Sequence, residues 1–156
     1  MKLTGIFPWA SYIVPLKLLS LETDGYHLLV EVLLDGVHFY ALLDTGASKS
    51  VFDKEEVQGR LSHLSLIHRN ELSTGLGTNS MESYLTFIKD FRMGDFQLKN
   101  FEIALLDLNH IREAYKNLNL PPIAGVIGND ILVPYRANIN YAKKRIRLFE
   151  PDSFIF

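Results

Sequence analysis

The chain has 156 residues, of which 47% are apolar and 22% charged, with a net charge of −2 and no cysteine. That is enough chain for one hydrophobic core in one domain. A nearly balanced charge leaves no basic footprint for nucleic acid, and the missing cysteines exclude disulfide frameworks, thiol catalysis and zinc–thiolate sites together.

In chain order, the first stretch carries Lys2 and the apolar Ile6-Phe7-Pro8-Trp9-Ala10, with a passing likeness to a secretion leader. Pro8, Ser11 and Pro15 interrupt it, Lys17 ends it, and no small-residue cleavage site follows, so the expectation is a cytoplasmic chain. No apolar run reaches the ~20 residues that span a bilayer, and no membrane partner is expected. Tyr12 to Leu19 reads as a strand, with Pro15 marking an edge or an end because it has no N–H to donate. His27 to Leu34 and Val37 to Leu43 are apolar runs joined by Asp35-Gly36, the signature of a type I′ hairpin turn. That hairpin delivers Asp44. Val51-Phe52 predicts a short strand, and Asp53 with Glu56 fits a capping box that opens a brief helix through about Leu61.

Ser62 to Asn70 gives a mixed signal; His63 and His68 lack the further ligands a metal would need, and no metal or cofactor is expected. Leu72 to Phe87 contains Gly75-Leu76-Gly77, which no lysine and hydroxyl follow, so a phosphate loop is a poor fit and a glycine-bearing hairpin a better one. Met93-Gly94-Asp95 predicts a turn and Phe101 to Leu106 a core strand. Asn109 is placed to cap a helix in which Ile111, Ala114, Tyr115 and Leu118 recur at helical spacing, closed by Pro121-Pro122. Gly125 and Gly128 bracket Val126-Ile127 ahead of a helical turn from Asn129 to Leu132. Ala137 to Tyr141 and Arg145 to Phe149 flank Ala142-Lys143-Lys144 as a terminal hairpin. The tail Asp152 to Phe156 is apolar for a free end, which points to docking. The resulting expectation is an all-β fold with one or two short helices, a single domain over 1–156 with its core about 12–150 and a tail at 151–156.

The stretch that demands chemistry is Phe39 to Ser48. A strand-forming apolar run ends abruptly on Asp44-Thr45-Gly46, and an ionised carboxylate at the end of a buried strand costs several kcal/mol unless it is paired or used. Thr45 can hydrogen-bond in support of that acid, and Gly46 lets another backbone or a ligand come close. Ala41-Leu42-Leu43-Asp44-Thr45-Gly46-Ala47-Ser48 resembles the active-site signature of the aspartic proteases, in the form of the single-domain retropepsin-like branch. Ile123 to Leu132 is similar to that family's second hallmark, an apolar pair, a glycine and a short helix. The order of motifs matches from about Tyr12 to the C-terminus.

The resemblance implies a closed retropepsin-like β-barrel with one lobe per chain. It implies Asp44 as the catalytic residue in a loop with Thr45, Gly46 and Ala47. Gly75, Leu76 and Gly77 would form a flap over the substrate, and Val126, Ile127 and Gly128 would support the loop, with Leu76, Val126 and Ile127 as apolar walls. Hydrolysis by this chemistry needs two carboxylates in contact, one activating water and one protonated. This chain has one Asp-Thr-Gly; Asp24-Gly25 and Asp35-Gly36 read as turns, and Asp130 as a pairing or capping residue. The partner is therefore expected to be a second copy, in a homodimer that takes a peptide or protein substrate in extended form. Ala47 stands where pepsin-like relatives carry a hydroxyl, so activity is expected at mildly acid pH. Two other readings remain, a non-catalytic peptide-binding module of the same fold and a small-molecule carrier on a closed barrel.

Overall fold

The computed structural model describes residues 10–21, 25–69 and 82–151. Strands β1 (Ser11–Pro15), β2 (Lys17–Ser20), β3 (Tyr26–Leu34) and β4 (Val37–Leu43) lead to the Asp44 loop, followed by β5 (Val51–Asp53) and helix α1 (Lys54–Arg60). Then come β6 (Ile67–Arg69), β7 (Ser83–Met93), β8 (Phe96–Leu106), α2 (Asn109–Asn117), β9 (Gly125–Ile127), α3 (Asn129–Leu132), β10 (Asn138–Asn140) and β11 (Arg145–Phe149). No helix among the described residues is long and apolar enough to cross a membrane.

The β3–β4 turn forms as its sequence demands, with Asp35 at φ 46° and Gly36 at φ 83°, the pair of positive angles that a type I′ turn requires. From that hairpin the sheet runs β3-β4-β9-β5-β8-β7, and β7 returns to β3 through Leu33 opposite Arg92 and Leu34 opposite Phe91. Those six strands therefore close on themselves into a barrel. Closure leaves β3 and β7 no open edge along that seam, and the interior fills with Val30, Val32, Leu34, Phe39, Phe52, Ile88, Phe91 and Leu105, all buried.

Pro15 does more than mark an edge. The run expected as one strand is two, β1 pairing with β11 in a separate three-stranded sheet and β2 pairing with β3. Between them the Leu16 N–H donates to the Lys144 carbonyl at 2.9 Å, which ties the crossover to the terminal hairpin. That sheet has the order β1-β11-β10 and turns Val14, Ile146 and Leu148 into the core, while Arg145 and Arg147, alternating with them, face outward. Phe96 fills the junction, edge-on to Tyr12 and Tyr135.

Two helical expectations change in detail. Asp53 caps α1 through the Glu56 N–H at 3.0 Å, but the reciprocal half of the box is absent. The Asp53 N–H instead donates to Ala124, and Glu56 accepts from Arg112. At α2 the residue that meets a free N–H is Asp107, accepting from Asn109 at 2.9 Å, and Asn109 itself is the first helical residue. Of the α2 stripe, Tyr115 is buried against Leu29 and Ile123 with Ile111 beside them, whereas Ala114 and Leu118 are exposed. Arg112 joins the two helices, its guanidinium 2.8 Å from Glu56, 2.7 Å from Glu55 and 3.3 Å from the buried Asp53.

Candidate active site

Strand β9 is what holds the Asp44 loop. It lies between β4 and β5, parallel to the first through Leu42 opposite Val126 and Leu43 opposite Ile127, and antiparallel to the second. The ladder continues one step past β4, where the Asp44 N–H donates to the Ile127 carbonyl at 3.0 Å. Beyond that point the chain must turn sharply. The Gly46 N–H donates to Asp44 Oδ1 at 2.8 Å, and the Ala47 N–H donates to the Asp44 carbonyl at 3.2 Å.

The far side of the loop is clamped by the start of α3. Asn129 donates its N–H to the Ala47 carbonyl at 2.9 Å and its side-chain amide to the Thr45 carbonyl at 2.8 Å. Asp130 Oδ1 accepts from both the N–H and the hydroxyl of Ser50, at 2.8 and 2.7 Å. Ser50 Oγ in turn accepts from the Gly128 N–H at 3.0 Å. This network gives Asp130 the pairing role expected of it. Ser50 and Asn129 were not singled out from the sequence, since short polar residues beside a turn are common and their partners lie 78 to 84 positions away.

Two glycines make so close a crossing possible. A Cβ on Gly128 would sit 2.7 Å from the Ala47 carbonyl oxygen, and one on Gly125 would sit 2.5 Å from the Phe52 ring. A Cβ on Gly46 would crowd Asp44 Oδ1 at 3.2 Å, so glycine there keeps the carboxylate clear.

Asp44, Thr45 and Gly46 are exposed in the single chain, and Ala47 is half-buried. The acid at the end of the strand therefore escapes the cost of burial by reaching the surface, and no cation pairs with it among the described residues. Ile127 is fully buried. It holds the loop through its main-chain carbonyl, and its side chain belongs to the core, not to a wall of the cleft. Val126 is also buried, opposite Leu42 and Val51. Gly75, Leu76 and Gly77 lie outside the described residues.

Asp44 borders a shallow groove of about 380 Å³ lined also by Leu18, Tyr26, His27, Leu28, Leu42, Leu43 and Tyr141. His27 Nδ1 is hydrogen-bonded to the Tyr115 hydroxyl, whose ionisation burial pushes up. Larger concavities of the described surface lie elsewhere, one beside α1 among Lys54, Glu82, Tyr84 and His110, and one between α1 and α2. No group of acids and histidines among the described residues is arranged to hold a metal ion.

A closed six-stranded barrel with an Asp-Thr-Gly loop at the end of one strand, braced by a glycine and a short helix, defines a retropepsin-like fold. The chain belongs to the aspartyl protease family, whose model, described as Aspartyl protease, matches residues 30–131. Among solved structures it is similar to a retropepsin-like aspartic protease from Rickettsia conorii, with 19% identity, a TM-score of 0.52 and coverage of 89% of this chain and 98% of that one. It is also similar to EIAV protease in complex with the inhibitor HBY-793, with 19% identity, a TM-score of 0.51 and coverage of 78% and 99%. The retroviral protease-like domain of Ddi1 from Leishmania major aligns with 14% identity, a TM-score of 0.50 and coverage of 83% and 98%. No curated protein matches the sequence. At these identities the structural likeness establishes the fold.

Proposed function

We propose that the chain is an aspartic endopeptidase that works as a homodimer, each copy contributing Asp44 to one shared site. The observation that carries this reading is the carboxylate itself, exposed on a loop braced from both sides and, among the described residues, left without a cation. So much scaffolding around one free acid fits a group that acts on something outside its own chain. Two such carboxylates in contact cannot both ionise; they share one proton and titrate as a pair, of which the aspartic proteases are the standard case.

The charged member takes a proton from water as the water oxygen attacks the peptide carbonyl carbon, and the protonated member donates to the carbonyl oxygen. The tetrahedral diol then collapses: the C–N bond breaks, the leaving nitrogen receives the proton taken from water, and one diol hydroxyl returns its proton to the other carboxylate, which restores the singly protonated pair. Thr45, exposed beside Asp44, is placed to brace one loop against its symmetry mate. An extended peptide held by main-chain hydrogen bonds, with side chains in alternating pockets, is the substrate such a site accommodates.

Asp44→Asn and Asp44→Ala test the reading. Asp44 is exposed and among the described residues its side chain accepts one hydrogen bond, from the Gly46 N–H, so both variants should fold as the parent does while cleavage of a mixed peptide library falls by at least ~10³-fold. A pepstatin-type inhibitor should abolish the parent's activity. Cleavage that persists in a pure Asp44→Ala preparation overturns the mechanism. Peptide binding with no cleavage by the parent protein would favour a non-catalytic module.

A further inference from the structure

The Asp44 carboxylate is aimed by one peptide unit. Its Oδ1 accepts from the Gly46 N–H at 2.8 Å, and that N–H shares a rigid plane with the Thr45 carbonyl, which points the opposite way. The carbonyl end of the same plane accepts from the Asn129 side chain at 2.8 Å. A carbonyl has no proton to give, so it is the amide nitrogen of Asn129 that faces it, as the donor. Asn129 and Asp44 are therefore joined by two hydrogen bonds made to opposite ends of one peptide group.

Glycine makes such a grip necessary. A Cβ at position 46 would stand 3.2 Å from Asp44 Oδ1, so the carboxylate's place calls for glycine. The same missing Cβ leaves the Thr45-Gly46 plane freer to turn, and turning it takes the N–H off the carboxylate. Among the described residues, Asn129 is the one side chain from outside the loop that bonds the stretch from Asp44 to Gly46. Its own main chain is fixed separately, as the first residue of α3 and through the N–H that donates to the Ala47 carbonyl at 2.9 Å.

We propose that Asn129 is a positioning residue for Asp44, holding the Thr45-Gly46 peptide so that the Gly46 N–H stays on the carboxylate and favours its charged form. This deepens, and rests on, the reading of the chain as an aspartic endopeptidase. A donor on the carbonyl polarises the peptide and strengthens the bond that its N–H makes. A hydrogen bond to the charged form lowers a carboxyl pKa, so loss of the grip raises it. The other titratable groups about Asp44 among the described residues are Tyr26, His27 and Tyr141 in the groove, the exposed Lys49 further along the loop, and Asp130 on α3. His27 is bonded to Tyr115 and Asp130 to Ser50. All of them are the same in the parent and in a variant at position 129, so the difference between the two reports the peptide.

Asn129→Ala removes the donor and keeps the main-chain bond to Ala47. In the full-length protein, kcat on a peptide that the parent cleaves should fall by at least ~10-fold with KM nearly unchanged. The acid limb of the kcat/KM profile should move up by about half a pH unit. The urea midpoint should stay near the parent's, since Asn129 is only half-buried. The Gly46 amide gives a readout that needs no cleavage: its proton resonance should lie downfield and titrate with Asp44 in the parent, and move upfield and exchange faster in the variant. Asn129→Asp, of the same shape but with no N–H to give, should match the alanine variant at this amide at pH 7, and replaces it if that variant fails to fold. Unchanged kcat, acid limb and Gly46 amide overturn the positioning role and leave the endopeptidase reading standing. A lower kcat with acid limb and amide unmoved overturns it too, since a merely structural contact would give that result. A parent that cleaves nothing overturns the endopeptidase reading; the grip on Asp44 then stands if the amide moves on substitution and falls with it if the amide does not.

Discussion

Ser50 shows how a residue away from the chemistry supports it. It is almost fully buried, its hydroxyl accepts from Gly128 and donates to Asp130, and it stands at the point where the loop re-enters the barrel. Ser50→Ala takes from the buried Gly128 N–H its hydroxyl partner and from Asp130 one of its two donors. The expected loss is about 1–3 kcal/mol of stability, read from the urea midpoint, with faster hydrogen exchange at Gly128. A midpoint unchanged from the parent's would show that the bond adds nothing. At this scale the sequence is informative where chemistry is local. Asp44 declares itself because an acid after an apolar strand is costly, and Gly125 and Gly128 because small residues bracket an apolar pair. Ser50 and Asn129 stay hidden because what they do depends on a distant part of the chain arriving beside them.

Among the elements, the β3–β7 seam is where the barrel closes, and an acid sits on it. The Asp90 N–H donates to Asp35 Oδ1, the Asp35 N–H donates to the Asp90 carbonyl, and the Asp90 carboxylate accepts from Arg92 and Gln97. Arg92, then Gln97, hold its pKa down, from the ordinary 3.8 to about 2. A carboxyl depressed in the folded state stabilises the fold above its unfolded value and stops doing so as pH falls through the folded one. The stability gap between the parent and Asp90→Asn should therefore be constant above about pH 5 and close between roughly pH 4 and pH 2. Urea titrations at stepped pH measure it, and a gap that widens on acidification would contradict the assignment. The elements themselves were legible where turn chemistry or capping is local, as in the Asp35-Gly36 hairpin and α1. They were less so where tertiary packing decides. The expected strand through Pro15 divides between two sheets, and α2 buries Tyr115 while leaving Leu118 in water.

For the whole molecule, the decisive feature is that β9 lies between two strands that precede it by about half the chain. Such pairing carries a heavy loop-closure cost and is slow to form. A chain truncated after Pro122 lacks β9 and α3, so the barrel ring stays open and the Asp44 loop loses its contacts to Ile127, Gly128, Asn129 and Asp130. Amide exchange across residues 41–53 should then be unprotected, whereas the full-length chain protects β4; equal protection in both would contradict this account. A ribosome releases Asp44 well before it releases Gly125. The unfinished polypeptide thus holds an acid with nothing to aim it until β9 and α3 have left the ribosome.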